Sequence, residues 1–168
     1  ERCAFILDGG RWWMEKYEAS TGKALRIEAL TSQERKQMQL EIFEYYASRA
    51  AEARKAGKVI IADAFFAEVL AYSMDCLDME SLTLIEAHLS DYQKEMHALI
   101  LPGVQLPLHL DGLRHEDETY REYVEVEIIA TYEKYGIPYA LVHTAELEER
   151  IALAASVLTK LCPSVPIH

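Results

Sequence analysis

Residues 58–63, Lys-Val-Ile-Ile-Ala-Asp, form a short apolar run that ends abruptly in a carboxylate. Such a run predicts a strand that is buried on both faces of a parallel sheet. Open α/β sheets bind their ligands at the carboxyl ends of the strands, where Asp63 could hold Mg²⁺ or orient a hydroxyl. The same residue could instead only cap the helix that follows.

The rest of the chain alternates between patterns typical of strands and patterns typical of helices. Buried strands are expected at 58–63, 96–101 and 139–142, and residues 3–7 form a further short apolar run. Helices are expected at 11–18, 32–56, 65–74, 81–91, 116–135 and 145–161, the second of them opened by a capping-box pattern at Thr31 and Glu34. This alternation predicts one three-layer α/β domain over residues 1–168, with a mainly parallel sheet.

Composition excludes several classes of protein. The 168 residues are 51% hydrophobic, and the formal charge of -11 argues against general affinity for nucleic acids or anionic membranes. The cysteines Cys3, Cys76 and Cys162 are far apart, so the sequence predicts neither a disulfide framework nor a zinc site, and a cytoplasmic protein is expected. The expected partner is a small-molecule substrate. The oligomeric state is left open, a homo-oligomer included.

Two arginines are the second indication of function. Arg114 ends the segment Leu-Asp-Gly-Leu-Arg, and Arg121 follows seven residues later on a predicted helix. Because seven residues span about two helical turns, the two guanidinium groups could converge on one polyanion. Alternatively, both arginines only pair with the neighbouring acidic side chains on the surface.

Other motifs are weaker. Residues 20–23, Ser-Thr-Gly-Lys, resemble the end of a phosphate-binding loop, but Tyr17 stands in place of its first glycine and Ala24 in place of its hydroxyl residue. Residues 8–10, Asp-Gly-Gly, have no lysine within reach and predict a turn. No intact P-loop is present in the sequence.

An aromatic cluster follows that turn. Trp12, Trp13 and Tyr17 could stack on a base, although an aromatic stripe at helical spacing more often belongs to the core.

The order of these parts resembles the P-loop kinases of the AAA-like family that includes nicotinamide-riboside kinase domains, with nucleoside and thymidylate kinases as more distant relatives. In that family a strand ends in Asp within a longer pattern, whose spacing Asp63, Glu68 and Tyr72 fit loosely. The segment at about 102–121 matches the family's lid, whose arginines grip the phosphates of ATP. The resemblance covers residues from about 28 to 160.

The resemblance implies ATP-dependent phosphotransfer to a nucleoside, a nucleotide or a similar small hydroxyl compound, with ATP and Mg²⁺ as cofactors. Asp63 would be the catalytic and metal-binding carboxylate. Arg114 and Arg121 would bind the ATP phosphates, and Arg121 would also stabilise the transferring phosphoryl group. Glu68, together with Trp12 or Trp13, would line the acceptor pocket.

The sequence departs from the family pattern at several points. Ala64 stands where an Arg often follows the Asp, and Glu68 replaces an Asp. The opening strand and P-loop are missing. That strand should lie between 58–63 and 96–101, so the chain is expected to be the remainder of a longer one, unless residues 3–7 supply the strand. These departures favour a second hypothesis, a catalytically inactive kinase-like binding or regulatory module. A nucleotide-hydrolysing switch ranks third.

Overall fold

The computed structural model describes residues 3–23, 25, 27–100 and 118–161. The strands are β1 (Cys3–Ile6), β2 (Val59–Ala62), β3 (Ala98–Ile100) and β4 (Tyr139–Leu141). The helices are α1 (Gly9–Thr21), α2 (Ser32–Lys55), α3 (Phe66–Ser73), α4 (Met79–Tyr92), α5 (Glu118–Tyr135) and α6 (Leu147–Leu161), with short 3-10 turns at Ile27–Ala29 and Gln93–Glu95. None of these helices is long and apolar enough to cross a membrane.

The long helix α2 begins and ends where the sequence predicts. The Thr31 hydroxyl accepts a hydrogen bond from the Glu34 N–H at 3.2 Å, and the Glu34 carboxylate accepts one from the Thr31 N–H at 2.8 Å. This reciprocal pair satisfies N–H groups that the first turn of a helix leaves without partners. At the other end Gly57 has a φ of 64°, a left-handed conformation that glycine adopts at no steric cost.

The strands pair in parallel, as predicted, but not in one sheet. β1 pairs with β2, with Cys3 opposite Val59, and β3 pairs with β4, with Ala98 opposite Tyr139. Within the described ranges these are two separate two-stranded sheets. The predicted three-layer domain around a single sheet is therefore not confirmed. Because β1 pairs with β2 and not with β3, residues 3–6 do not link the two sheets in the way that a central strand would.

The prediction of a strand buried on both faces is wrong for β2. All four of its residues are half-buried, and on the neighbouring strand Phe5 keeps 71% of its surface exposed. Helix α2 packs against both strands, whereas no second helix in the described part of the chain packs closely on either of them. An apolar run indicates burial, but the number of covering layers depends on tertiary packing.

The core lies among α2, α3 and α4. Its most deeply buried large side chains are Tyr46, Phe66, Ile85 and Leu89. Aromatic rings dominate the centre of this cluster: the Phe65 and Phe66 ring centroids are 4.2 Å apart, and Tyr46 and Tyr92 meet Phe65 edge-on. Edge-to-face and tilted pairs are the favoured geometries of buried rings, so α3 has a fixed position against α2. That position determines where the end of β2 lies.

Candidate functional site

The turn after β2 holds the Asp63 backbone on both sides and leaves its side chain exposed. The Asp63 N–H donates to the carbonyl of Ile6 at 3.0 Å, and the Asp63 carbonyl accepts from the Tyr46 hydroxyl at 3.1 Å. Ala64 then takes a φ of 64°, which is uncommon for a residue with a Cβ. Among the described residues, no hydrogen bond or ion pair involves the Asp63 carboxylate. Asp63 therefore offers a free carboxylate on a fixed backbone.

The helix that follows is capped by Glu68. One oxygen of the Glu68 carboxylate accepts from the Phe65 N–H at 2.8 Å, and the other accepts from the Tyr132 hydroxyl at 2.7 Å. Burial, followed by the charge of Glu68, raises the pKa of Tyr132 above its ordinary value, so this hydroxyl stays protonated and can donate. Asp63 is thus not the cap of α3, and Glu68 has a structural role that the sequence does not predict.

In the turn after β1, the Asp8 side chain caps the start of α1. The Asp8 carboxylate accepts from the Gly10 N–H at 2.8 Å and from the Arg11 N–H at 3.3 Å, so α1 begins two residues earlier than predicted. The Asp8 carbonyl accepts from the Trp12 N–H at 3.0 Å. The Gly9 N–H donates to the Tyr46 hydroxyl at 2.8 Å. The N–H groups that a helix start offers to an anion are all occupied by the protein itself.

Tyr46 joins the two turns. Its side chain on α2 is 1% exposed, and its hydroxyl accepts from Gly9 and donates to Asp63. Burial raises the pKa of Tyr46, the hydrogen bond from the Gly9 N–H partly offsets this, and the negative charges of Asp8, Glu68 and Asp63 raise the pKa further. In the sequence, Tyr46 occupies one apolar position of the helical pattern at 32–56, and that pattern predicts nothing more of it. A tyrosine on the buried face is the one signal of its polar role, because a buried hydroxyl needs a partner.

Helix α5 fixes the position of Arg121. Near its start the Tyr120 ring centroid lies 6.5 Å from that of Tyr72, at the end of α3. Near its end Tyr132 contacts Glu68, at the start of α3. The two helices therefore run in opposite directions, and about 16 Å of helix separates Arg121 from Tyr132.

Arg121 consequently lies near the end of α3, whereas Asp63 precedes its start. The arginine is half-buried, and no hydrogen bond or ion pair joins it to another side chain in the described ranges. The structure does not bring Arg121 to the Asp63 carboxylate. Arg114 and residues 102–117 of the predicted lid lie outside the described residues, so the shared phosphate site of the two arginines stays a prediction.

Trp12 lies in a different place from Glu68. Its ring stacks on that of Tyr45 at 4.6 Å, beside a groove of about 510 Å³ between α1 and α2. The groove is lined by Trp12, Lys16, Gln37, Glu41, Glu44, Tyr45, Ser48, Arg49 and Glu52. Because Glu68 and Asp63 do not line this groove, the structure does not support one acceptor pocket containing both Trp12 and Glu68. Trp13 is a core residue whose indole N–H donates to Glu41 at 2.8 Å.

The end of β2 suits the metal ion of a magnesium nucleotide, whereas the start of α1 does not suit the phosphates. Mg²⁺ is commonly held by one or two carboxylates together with substrate phosphates and water, and the exposed Asp63 carboxylate suits that role. The start of α1 does not suit phosphate, because its N–H groups are occupied and the Asp8 carboxylate would repel an anion. Within the described ranges no group of three or more metal-ligand side chains is present.

Comparison with known proteins identifies the family. The family model described as an AAA domain matches residues 10–150, so the chain belongs to this family of P-loop NTPase-like proteins. Membership indicates nucleotide binding, with hydrolysis or phosphotransfer as the associated chemistry, and such proteins typically bind nucleotide with Mg²⁺. No curated protein and no solved structure matches the chain.

Proposed function

We propose that this domain is an ATP-dependent phosphotransferase of the nicotinamide-riboside kinase type, acting on a nucleoside, a nucleotide or a similar small hydroxyl compound. The observation that carries the proposal is the position of Asp63 at the carboxyl end of a parallel strand. Its backbone N–H and carbonyl are both hydrogen-bonded, and its carboxylate has no partner among the described residues. Family membership supports nucleotide chemistry at that edge. The proposal includes the cytoplasmic location that the cysteine pattern predicts.

Each candidate residue has a distinct role in this proposal. Asp63 accepts the proton of the acceptor hydroxyl or holds Mg²⁺. Arg121, together with Arg114, binds phosphate oxygens, for which planar guanidinium groups are suited. ATP with Mg²⁺, when bound, supplies the phosphoryl group. Glu68, at the start of α3, would contact the acceptor through whatever capacity its two internal hydrogen bonds leave. Trp12 lies beside a different groove and has no role in this acceptor site.

A second candidate function is a catalytically inactive binding or regulatory module. The observation that favours it is the start of α1, where Asp8 and Tyr46 already occupy the N–H groups that a phosphate would need. Ala64, which stands where an Arg often follows the Asp in the family, favours it as well. Such a module would retain the family's fold without binding the nucleotide phosphates productively.

One experiment separates the two candidates. The chain is incubated with MgATP and a panel of nucleosides, and ADP formation and phosphorylated products are measured for the wild type and for Asp63→Asn. The phosphotransferase proposal expects acceptor-dependent turnover that falls by about 10²-fold or more in Asp63→Asn, the scale of losing a positioned base. The melting temperature should not change, because Asn is nearly isosteric with Asp.

Asp91→Asn is the matched control. Asp91 is an exposed carboxylate on α4 that pairs with Arg54 at 2.6 Å, so its loss should leave turnover unchanged. A wild type that binds MgATP without any turnover would support the inactive module. An Asp63→Asn variant that turns over at the wild-type rate would show that Asp63 takes no part in the chemistry.

A further inference from the structure

We propose that Tyr46 is a positioning residue for Asp63, acting through a single hydroxyl that ties the end of β2 to the start of α1. This inference rests on the proposed function of Asp63 and extends it. Tyr46 lies on α2, and both of its hydrogen-bond partners belong to other elements. No local pattern in the sequence connects the three segments, since Gly9 is 37 residues from Tyr46 along the chain.

The hydroxyl is fully committed to the two turns. It accepts from the Gly9 N–H at 2.8 Å and donates to the Asp63 carbonyl at 3.1 Å, so it uses its one proton and one lone pair in opposite directions. In a buried setting both partners would lose a hydrogen bond together if the hydroxyl were removed. The two turns are therefore coupled through one atom.

Packing holds the Tyr46 ring where this coupling requires it. The ring meets Tyr45 edge-on with centroids 5.5 Å apart and meets Phe65 edge-on at 5.8 Å. On the third side it approaches Gly9 so closely that a Cβ there would lie 2.9 Å from a ring carbon. The glycine thus allows the phenol to reach the backbone, and the aromatic neighbours prevent the ring from turning away.

The coupling bears on the direction of the Asp63 carboxylate. The carbonyl that Tyr46 holds belongs to the peptide between Asp63 and Ala64, and Ala64 has the uncommon left-handed conformation. Without the hydroxyl, that peptide has one restraint fewer and can rotate toward a relaxed conformation. A shift of about 1 Å in a reacting group can reduce turnover by about 10²-fold, so a partial shift should produce a measurable loss.

The test compares Tyr46→Phe with the wild type in two measurements. The amide resonances of Gly9 and Ala64 report the two peptides that the hydroxyl contacts, and amide exchange at Gly9 reports the lost bond. Steady-state phosphotransfer with MgATP and the nucleoside panel reports the function. We expect kcat to fall by about 10-fold with the acceptor KM unchanged, because the variant alters the orientation of Asp63 and not acceptor binding.

Two controls separate positioning from general destabilisation. Tyr92→Phe removes the hydroxyl of another tyrosine that meets Phe65 edge-on, within the same aromatic cluster. Ile85→Val removes a methyl group from a fully buried core position on α4 and lowers stability without touching either turn. Both controls should keep the wild-type kcat and the wild-type amide shifts of Gly9 and Ala64.

The possible results distinguish a failure of the positioning proposal from a failure of the proposed function. An active wild type with a reduced kcat in Tyr46→Phe alone supports positioning. An active wild type with an unchanged kcat in Tyr46→Phe overturns positioning and leaves the phosphotransferase proposal standing. A wild type without turnover overturns both, and unchanged amide shifts at Gly9 and Ala64 overturn the coupling itself.

Discussion

Asp8 and Asp63 follow paired parallel strands, each precedes a helix, and yet the two carboxylates have opposite fates. The Asp8 carboxylate is used within the protein, where it accepts two N–H groups at the start of α1. The Asp63 carboxylate has no partner among the described residues, because Glu68 caps the helix that follows it. The same residue type, one or two residues beyond the end of each paired strand, is structural in one turn and available for chemistry in the other.

The difference teaches that the cap decides which carboxylate is free. At the start of α3 the left-handed Ala64 separates Asp63 from the helix, and the Phe65 N–H donates to Glu68 instead. At the start of α1 no such residue intervenes, so Asp8 folds back onto Gly10.

Loss of Glu68, which caps α3, should have the largest effect on stability. Glu68→Ala removes the acceptor of the Phe65 N–H and leaves the buried Tyr132 hydroxyl unpaired, so the free energy of unfolding should fall by about 3 kcal/mol. Denaturant unfolding measures it. Tyr132→Phe is the companion variant, and a double-mutant cycle should give a coupling of about 1 kcal/mol or more. A loss below about 0.5 kcal/mol for Glu68→Ala would mean that another group caps α3.

Filling the close contact between Gly9 and Tyr46 should have the second-largest effect on stability. Gly9→Ala would place a Cβ 2.9 Å from Ile42 Cγ2 and from a Tyr46 ring carbon, and overpacking of this kind costs about 2 kcal/mol. Gly10→Ala is the control, since the added Cβ would meet only the Asp8 carboxylate, at 3.1 Å. Thermal unfolding of the two variants should rank Gly9→Ala as the less stable. Equal melting temperatures would contradict the tight contact between the first turn and Tyr46.

The two aspartates themselves give a direct comparison with a smaller effect. Asp8→Ala should lower the free energy of unfolding by about 1 kcal/mol, the usual effect of losing an N-cap. Asp63→Ala should change it by less than about 0.5 kcal/mol, because its carboxylate stabilises nothing in the described structure. Urea titrations of both variants at one pH provide the measurement. The contrast fails if Asp63→Ala proves as destabilising as Asp8→Ala.

The smallest expected effect is on stability in acid, and it concerns the carboxylate of Glu41. The hydrogen bond from Lys16 chiefly lowers the pKa of Glu41 below its ordinary value of 4.5, and Gln37 and Trp13 contribute as further donors. A depressed folded-state pKa means that this stabilisation is present above pH 4.5 and is lost as the pH falls through the lower value.

Glu41→Gln should therefore lose less stability than the wild type when the pH is lowered from about 6 to about 3. The difference should stay below about 1 kcal/mol because Lys16 is half exposed, with 52% of its side-chain surface accessible. Unfolding curves at several pH values test this. Parallel curves for Glu41→Gln and the wild type would show that Glu41 contributes nothing to stability in acid.

Features that depend on neighbours along the chain were predictable from the sequence. The capping box at Thr31 and Glu34 and the glycine at 57 bound α2 where their chemistry requires, since each acts within one helical turn. The parallel strands followed from the alternation of apolar runs with helical patterns. Asp63 was found because an abrupt carboxylate after an apolar run is a local signal.

Features that depend on contacts between distant segments were not predictable. Whether β2 is covered on one face or two depends on the helices that pack against it, and its residues are half-buried where full burial was expected. Glu68 looked like a substrate contact, but Tyr132, 64 residues away, binds its second oxygen. Tyr46 looked like a core residue, and it is one, but its hydroxyl also joins two turns that the chain keeps far apart.

The sequence by itself determined the order of the elements, the parallel pairing and the candidate carboxylate at residue 63, because periodicity, caps and strand ends are written in short stretches of chain. Only the tertiary structure decided which of the two aspartates has a free carboxylate within the described part of the chain, and which side chain holds its backbone in place. The physical reason is that a buried hydrogen-bonding group must find a partner wherever the fold supplies one. At the end of β2 that partner is Tyr46, which α2 brings to Asp63 across the core.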